Sequence, residues 1–188
     1  DFNTMTKAFW SELPELIDKI SDAAEARVIV LSSQGKHFCA GMDLANFQDD
    51  GEMHGTDAKK VSQGRRSEAQ FRVTRELQYT ISCLEKARMP VIAAIQGACI
   101  GGAVDLVTAC DIRYATNDAF FCIQEINIGM AADVGTLQRL PYLIPEGIVR
   151  ELAYTGRRFS ADEALRYGLI NAVFDTHEAV IDHALSVA

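Results

Sequence analysis

The stretch Ile100-Gly-Gly-Ala-Val-Asp-Leu-Val-Thr-Ala-Cys-Asp111 decides how this chain is read. Gly101 and Gly102 open a run, Gly101 to Ala109, that holds almost nothing polar beside Asp105, which stands between Val104 and Leu106. Read as a helix, the run has no solvent face, so its one carboxylate lies among groups that normally pack. A carboxylate in such a place is retained only if something compensates its desolvation or makes use of it. Immediately upstream, "VIAAIQG" (91–97) is a β-branched apolar strand, and downstream "DIRYAT" (111–116) is another.

The alternation extends outward in both directions. Phe9, Leu13, Leu16, Ile17 and Ile20 have helical spacing and lead into the strand "RVIVLSS" (27–33). Residues 66–87 form a long amphipathic pattern carrying Phe71, Leu77, Ile81 and Leu84, ended before Pro90. Between them, residues 45–67 are polar and glycine-bearing and read as a mobile surface loop. After "AFFCIQEINIG" (119–129) and the turn "MAADVG" (130–135), helices are expected at 136–140, 146–156 and 160–168. A strand at 169–174 and a last helix from 176 follow. Strands alternating with helices give an α/β class with mainly parallel pairing.

The chain has 188 residues, 48% of them hydrophobic and 23% charged, as expected for a single globular domain spanning 1–188. The net charge of −8 argues against a nucleic-acid surface, and the sequence has no apolar run long enough for a membrane span. Cys39, Cys83, Cys99, Cys110 and Cys122 are odd in number, mostly sit in apolar runs and lack metal-ligand spacing. They read as reduced core thiols of an intracellular protein, with no metal site.

A second glycine turn, "CAGMDL" (39–44), also follows a strand and opens a short helix. Each turn can present unpaired backbone N–H groups, and two such donors converging on one carbonyl oxygen form an oxyanion hole. Taken singly, either turn would serve packing. Around them stand Asp105, Glu125 in "CIQEINIG" and Asp133 in "GMAADVG", each in apolar company. Asp133 could alternatively be an N-cap for the helix that follows, and Asp111 is expected to be structural. Burial and mutual repulsion raise carboxyl pKa values by different amounts, as an acid/base division of labour requires.

"FCAGMDL" and "QGACIGGAVDLVTACDIRYAT", with "QRLPYLI" and "ADEALRYGLINAVF", resemble the crotonase (enoyl-CoA hydratase/isomerase) family over essentially the whole chain. The resemblance implies a spiral of ββα units, with a core parallel sheet and surrounding helices. It further implies a CoA-thioester substrate with no separate cofactor, since coenzyme A is part of that substrate. Hydratases of the family carry Glu at the first two acid positions, twenty residues apart, and usually glycine at the third. Asp105, Glu125 and Asp133 instead resemble the family's 3,5-dienoyl-CoA to 2,4-dienoyl-CoA isomerases of fatty-acid β-oxidation.

Carried over by position, the resemblance implies that the amides of Met42 and Gly102 hold the thioester oxygen, in a substrate turn comprising Gly41, Met42, Asp43 and Leu44. Asp133 is expected to take the C2 proton and Glu125 to protonate C6, with Asp105 in support. The alternatives are an enoyl-CoA hydratase and an inactive acyl-CoA-binding module. Lys59, Lys60, Arg65 and Arg66 are candidates for the CoA phosphates, whereas His37 reads as a loop or packing residue. The family's pattern leads one to expect a first strand before "DFNTM", further helices beyond residue 188, and a homotrimer or hexamer. The expected location is the bacterial cytoplasm or, in a eukaryote, the mitochondrial matrix or peroxisome.

Overall fold

A computed structural model describes residues 2–47 and 62–188, with the side chains of Leu44 and Phe47 left out. The polar segment 48–61, including Lys59 and Lys60, lies outside the described residues. Helix α1 (Lys7–Ala23) starts at Thr6, whose hydroxyl caps the amide of Phe9, and packs against α2 (Gln63–Lys86). The second helix begins three residues earlier than its apolar pattern predicts. Its Phe71 is exposed, while Ile81 and Leu84 reach the core.

The main sheet consists of β1 (Ile29–Leu31), β2 (Val91–Ile95), β4 (Ile112–Thr116) and β7 (Ala172–Phe174), in the order β1-β2-β4-β7 and parallel throughout. Every residue of β2 is buried, as a central parallel strand covered on both faces requires. Its side chains sort by the two-residue period. Val91, Ala93 and Ile95 join the main core, while Ile92 and Ala94 pack with Val180 and Ala184 of α7 (His177–Val187). Asp111 Oδ2 accepts the Val91 amide at 2.7 Å, the structural role expected of it.

Beyond Gly97 the chain turns into a second, smaller sheet that the apolar pattern does not disclose. There β3 (Ala98–Ile100) runs parallel to β5 (Phe120–Cys122), which pairs antiparallel with β6 (Phe159–Ser160). After β3 comes α3 (Gly102–Thr108), with all seven residues buried and its apolar side chains in one core with residues of both sheets. A short α4 (Thr136–Arg139) abuts it, followed by α5 (Glu146–Thr155) and α6 (Ala161–Tyr167), the last closed by a Ser160/Glu163 capping box. The five cysteines are buried and unbridged, and burial pushes the Cys39 thiol up to about 11, which suits core packing. Among the described residues no helix is long and apolar enough to cross a membrane.

Candidate active site

The two glycine turns touch. A methyl built on Gly41 would stand 2.8 Å from the Ile100 carbonyl oxygen and 3.6 Å from the Gly102 nitrogen. The first turn is held between two neighbours: Ile100 donates its N–H to Cys39 O at 3.1 Å on one side, and Met5 donates to Gly41 O at 2.8 Å on the other. A trans peptide places the Met42 N–H opposite the Gly41 carbonyl, so that amide points away from Met5. The same argument applies at the second turn. Gly101 O accepts from Val104 N–H at 2.7 Å, which leaves the Gly102 N–H directed out of the helix start. Neither amide donates to another described residue. Two adjacent, outward, unpaired N–H groups are what an oxyanion needs.

The Asp43 side chain is engaged within its own turn. The Asp43 carboxylate accepts from Ala45 N–H and Thr4 Oγ1–H, both at 2.9 Å. The Ala45 amide, then the Thr4 hydroxyl, hold its pKa below the usual value. Its carboxylate therefore shapes the turn. Leu44 begins a 3-10 segment, Leu44–Phe47, and its side chain lies outside the description. His37 is structural: Nδ1 accepts the Ala98 amide at 3.1 Å, and the ring stacks on Phe2.

Of the three acids, Asp105 is fully buried on α3. Its Oδ1 accepts the Thr136 amide at 2.6 Å, and its Oδ2 has no partner among the described residues. Burial pushes its pKa up to about 6, against the lowering influence of the Thr136 amide and the Arg139 charge; the Asp133 charge raises it further. Glu125 opens a 3-10 turn, Glu125–Ile128, and is half-buried, with Oε1 3.4 Å from where a Cβ on Gly101 would lie. Burial lifts its pKa to about 7, and Asp105 and Asp133 raise it further.

Asp133 corrects two expectations. It is exposed rather than in apolar company, and it does not cap α4, whose N-cap residue is Gly135. The cap comes instead from Asp105, across the fold. Asp133 lines a cleft of about 450 Å³ between α2 and α4, with Gln78 donating to its backbone carbonyl at 2.8 Å. Arg65 and Arg66 are exposed in the first turn of α2. Among the described residues no group of three or more His, Cys, Asp and Glu side chains could hold a metal ion.

Sequence reasoning missed Thr136 and Arg139. The Thr136 contribution is a backbone amide, which carries no residue signature, and its partner is 31 positions away. Arg139 reaches Ser82 Oγ and Glu85 Oε2 on α2, both at 2.8 Å, pairings that no local pattern announces.

The sequence profile of the enoyl-CoA hydratase/isomerase family matches residues 1–188. The mitochondrial Δ(3,5)-Δ(2,4)-dienoyl-CoA isomerase of Homo sapiens is 47% identical over 188 residues, covering 99% of this chain and 56% of its own length. The peroxisomal Δ(3,5)-Δ(2,4)-dienoyl-CoA isomerase of Arabidopsis thaliana is 41% identical over 186 residues, covering 99% of this chain and 66% of its own. Among solved structures, an enoyl-CoA hydratase from Bacillus anthracis superposes with a TM-score of 0.77 at 33% identity, covering 95% of this chain and 63% of its own. The chain thus spans between half and two thirds of the length of these relatives.

Proposed function

The chain belongs to the enoyl-CoA hydratase/isomerase (crotonase) family, and from that premise we propose that the protein carrying it converts 3,5-dienoyl-CoA esters to 2,4-dienoyl-CoA esters. The observation that carries this reading is the third carboxylate. Asp133 stands close enough to act on the charge of both Asp105 and Glu125. Two of the relatives it matches are themselves named dienoyl-CoA isomerases.

The chemistry moves two double bonds by one carbon each. Asp133, exposed and able to meet substrate, takes a proton from C2. The electron pair moves into the dienyl system and onto the thioester oxygen, where the Met42 and Gly102 amides stabilise the developing charge. Each such donor contributes roughly 3–4 kcal/mol in enzymes where it has been removed. Glu125 then delivers a proton to C6, for which a pKa near 7 leaves it substantially protonated at neutral pH. Asp105 caps α4 and holds the segment that bears Asp133. Proton and charge balance without a separate cofactor, coenzyme A being part of the substrate.

A mitochondrial or peroxisomal location and assembly as a homotrimer or hexamer belong to the same proposal, the location supported by the names of the two isomerases. The deciding experiment incubates the purified protein with a 3,5-dienoyl-CoA ester and follows the ultraviolet absorbance of the conjugated 2,4-dienoyl product. Rapid hydration of a 2-enoyl-CoA with no diene signal would overturn the reading in favour of a hydratase. Ester binding without turnover of either substrate would favour an acyl-CoA-binding module.

A further inference from the structure

Arg139 is the last residue of α4, and its side chain is only 11% exposed. Its guanidinium donates to Ser82 Oγ and Glu85 Oε2 on α2, each at 2.8 Å, and to the Val134 carbonyl at 3.2 Å. Nε is buried and has no partner among the described residues. The group lies against Gly135, where a Cβ would fall on the guanidinium itself, and Gly135 has φ +135°, a conformation that side chains disfavour. One planar cation therefore ties the turn from Asp133 to Thr136 onto the long helix α2.

That turn carries two parts of the candidate site. Asp133 is at its start, and the Thr136 amide that Asp105 accepts is at its end. We propose that Arg139 is a positioning residue: by pinning the 133–136 turn to α2, it sets where Asp133 meets substrate and keeps the Thr136 amide on Asp105. Arg139 does not touch the reacting atoms. Its catalytic consequence rests on the isomerase reading above, whereas its structural consequence does not. A planar fork suits this task because three acceptors on two elements are satisfied in one fixed geometry, which a lysine ammonium cannot reproduce.

The Asp105 carboxyl gives a readout that a purely structural role would not move. The charged and titratable groups near it are Arg139 and Asp133 from the 133–139 segment, Glu125 from the 3-10 turn and Cys99 from β3. Arg139 is the cation among them, so replacing it by methionine removes one of the influences, beside the Thr136 amide, that favour ionisation of Asp105.

The test compares Arg139→Met, Arg139→Lys and Glu85→Gln in the whole protein, by amide hydrogen exchange and carbon-13 titration of the carboxyls, neither of which needs substrate. In Arg139→Met the Thr136 amide should lose about tenfold in protection and the Asp105 midpoint should rise. On a 3,5-dienoyl-CoA ester, kcat should fall by roughly 10- to 100-fold with KM nearly unchanged, the signature of a displaced acid. Arg139→Lys, which returns the charge but not the fork, should restore the Asp105 midpoint only in part and little of kcat. Glu85→Gln, which leaves the turn's own residues intact, should shift exchange and kcat the same way by about threefold, and it carries the test if Arg139→Met does not fold. Unchanged Thr136 protection and an unchanged Asp105 midpoint in a folded Arg139 variant would overturn the proposal, as would an unchanged kcat in a protein that turns over the ester. A wild-type protein inert toward the ester overturns the isomerase reading instead, and the exchange and titration arms still decide the role of Arg139.

Discussion

Asp105 accepts the Thr136 amide at 2.6 Å and so caps a helix 31 residues further along the chain, while its other oxygen stays bare in the core. Both the cost and the use of the buried charge follow from that pairing. Replacing Asp105 by alanine strands the Thr136 N–H and opens a hole, at a cost of about 2–4 kcal/mol. Replacement by asparagine keeps an acceptor and removes the ionisation. Because burial raises the Asp105 pKa from 3.8 to about 6, its stabilising contribution is complete below pH 3.8 and is lost as pH rises through 6. Wild type should therefore lose stability relative to Asp105→Asn across that window, by about 3 kcal/mol in total. Denaturant melts at pH 4, 5, 6 and 7 measure the difference. A difference that does not change with pH would remove the buried charge from the account.

The Glu125 carboxyl is pushed higher than that of Asp105. Burial, with Asp105 and Asp133 adding to it, lifts its carboxyl from 4.5 to about 7. If Glu125 gives the proton at C6, kcat should decline above pH 7, and Glu125→Gln should lose roughly 10²- to 10⁴-fold. A pH–rate profile on a 3,5-dienoyl-CoA ester tests the direction of the assignment. A rate that rises through pH 7 would make Glu125 the base and Asp133 the acid.

Asp133→Asn separates chemistry from folding. The side chain is exposed and accepts no hydrogen bond from a described residue, so stability should change by no more than about 0.5 kcal/mol. Isomerisation should nevertheless fall by roughly 10²-fold or more, as for loss of a general base. Parallel measurement of melting temperature and turnover checks both halves. Unimpaired turnover would reassign the C2 proton to another group.

The sequence made visible what depends on local periodicity and on residue type. The β2–α3–β4 sequence, the long α2 and the acids at 105, 125 and 133 were all legible, because an isolated carboxylate in an apolar run stands out. The second sheet was not, because β3 and β6 are three and two residues long and pair with strands distant in sequence. The environment of Asp133 was misread for a related reason. Its neighbours Ala131, Ala132 and Val134 are apolar, yet the turn directs Ala132 and Val134 inward and leaves Asp133 in the open. The cap on α4 was invisible, since a side chain on another helix supplies it.

Gly41 and Gly35 offer a controlled pair for the oxyanion assignment. Both have positive φ, +87° and +86°, so alanine at either should cost about 1–2 kcal/mol of backbone strain. Their surroundings differ. Nothing lies within 4 Å of a methyl at Gly35, whereas at Gly41 the methyl meets the Ile100 carbonyl oxygen at 2.8 Å. That carbonyl belongs to a strand residue whose own N–H is fixed on Cys39, so the Gly41 peptide must move instead. Moving it swings the Met42 N–H away from the Gly102 amide. Gly41→Ala should therefore lose roughly 10²-fold in kcat, the scale of one lost oxyanion donor, while Gly35→Ala loses only stability. If the two variants melt alike and turn over alike, the Met42 amide does not hold the thioester oxygen.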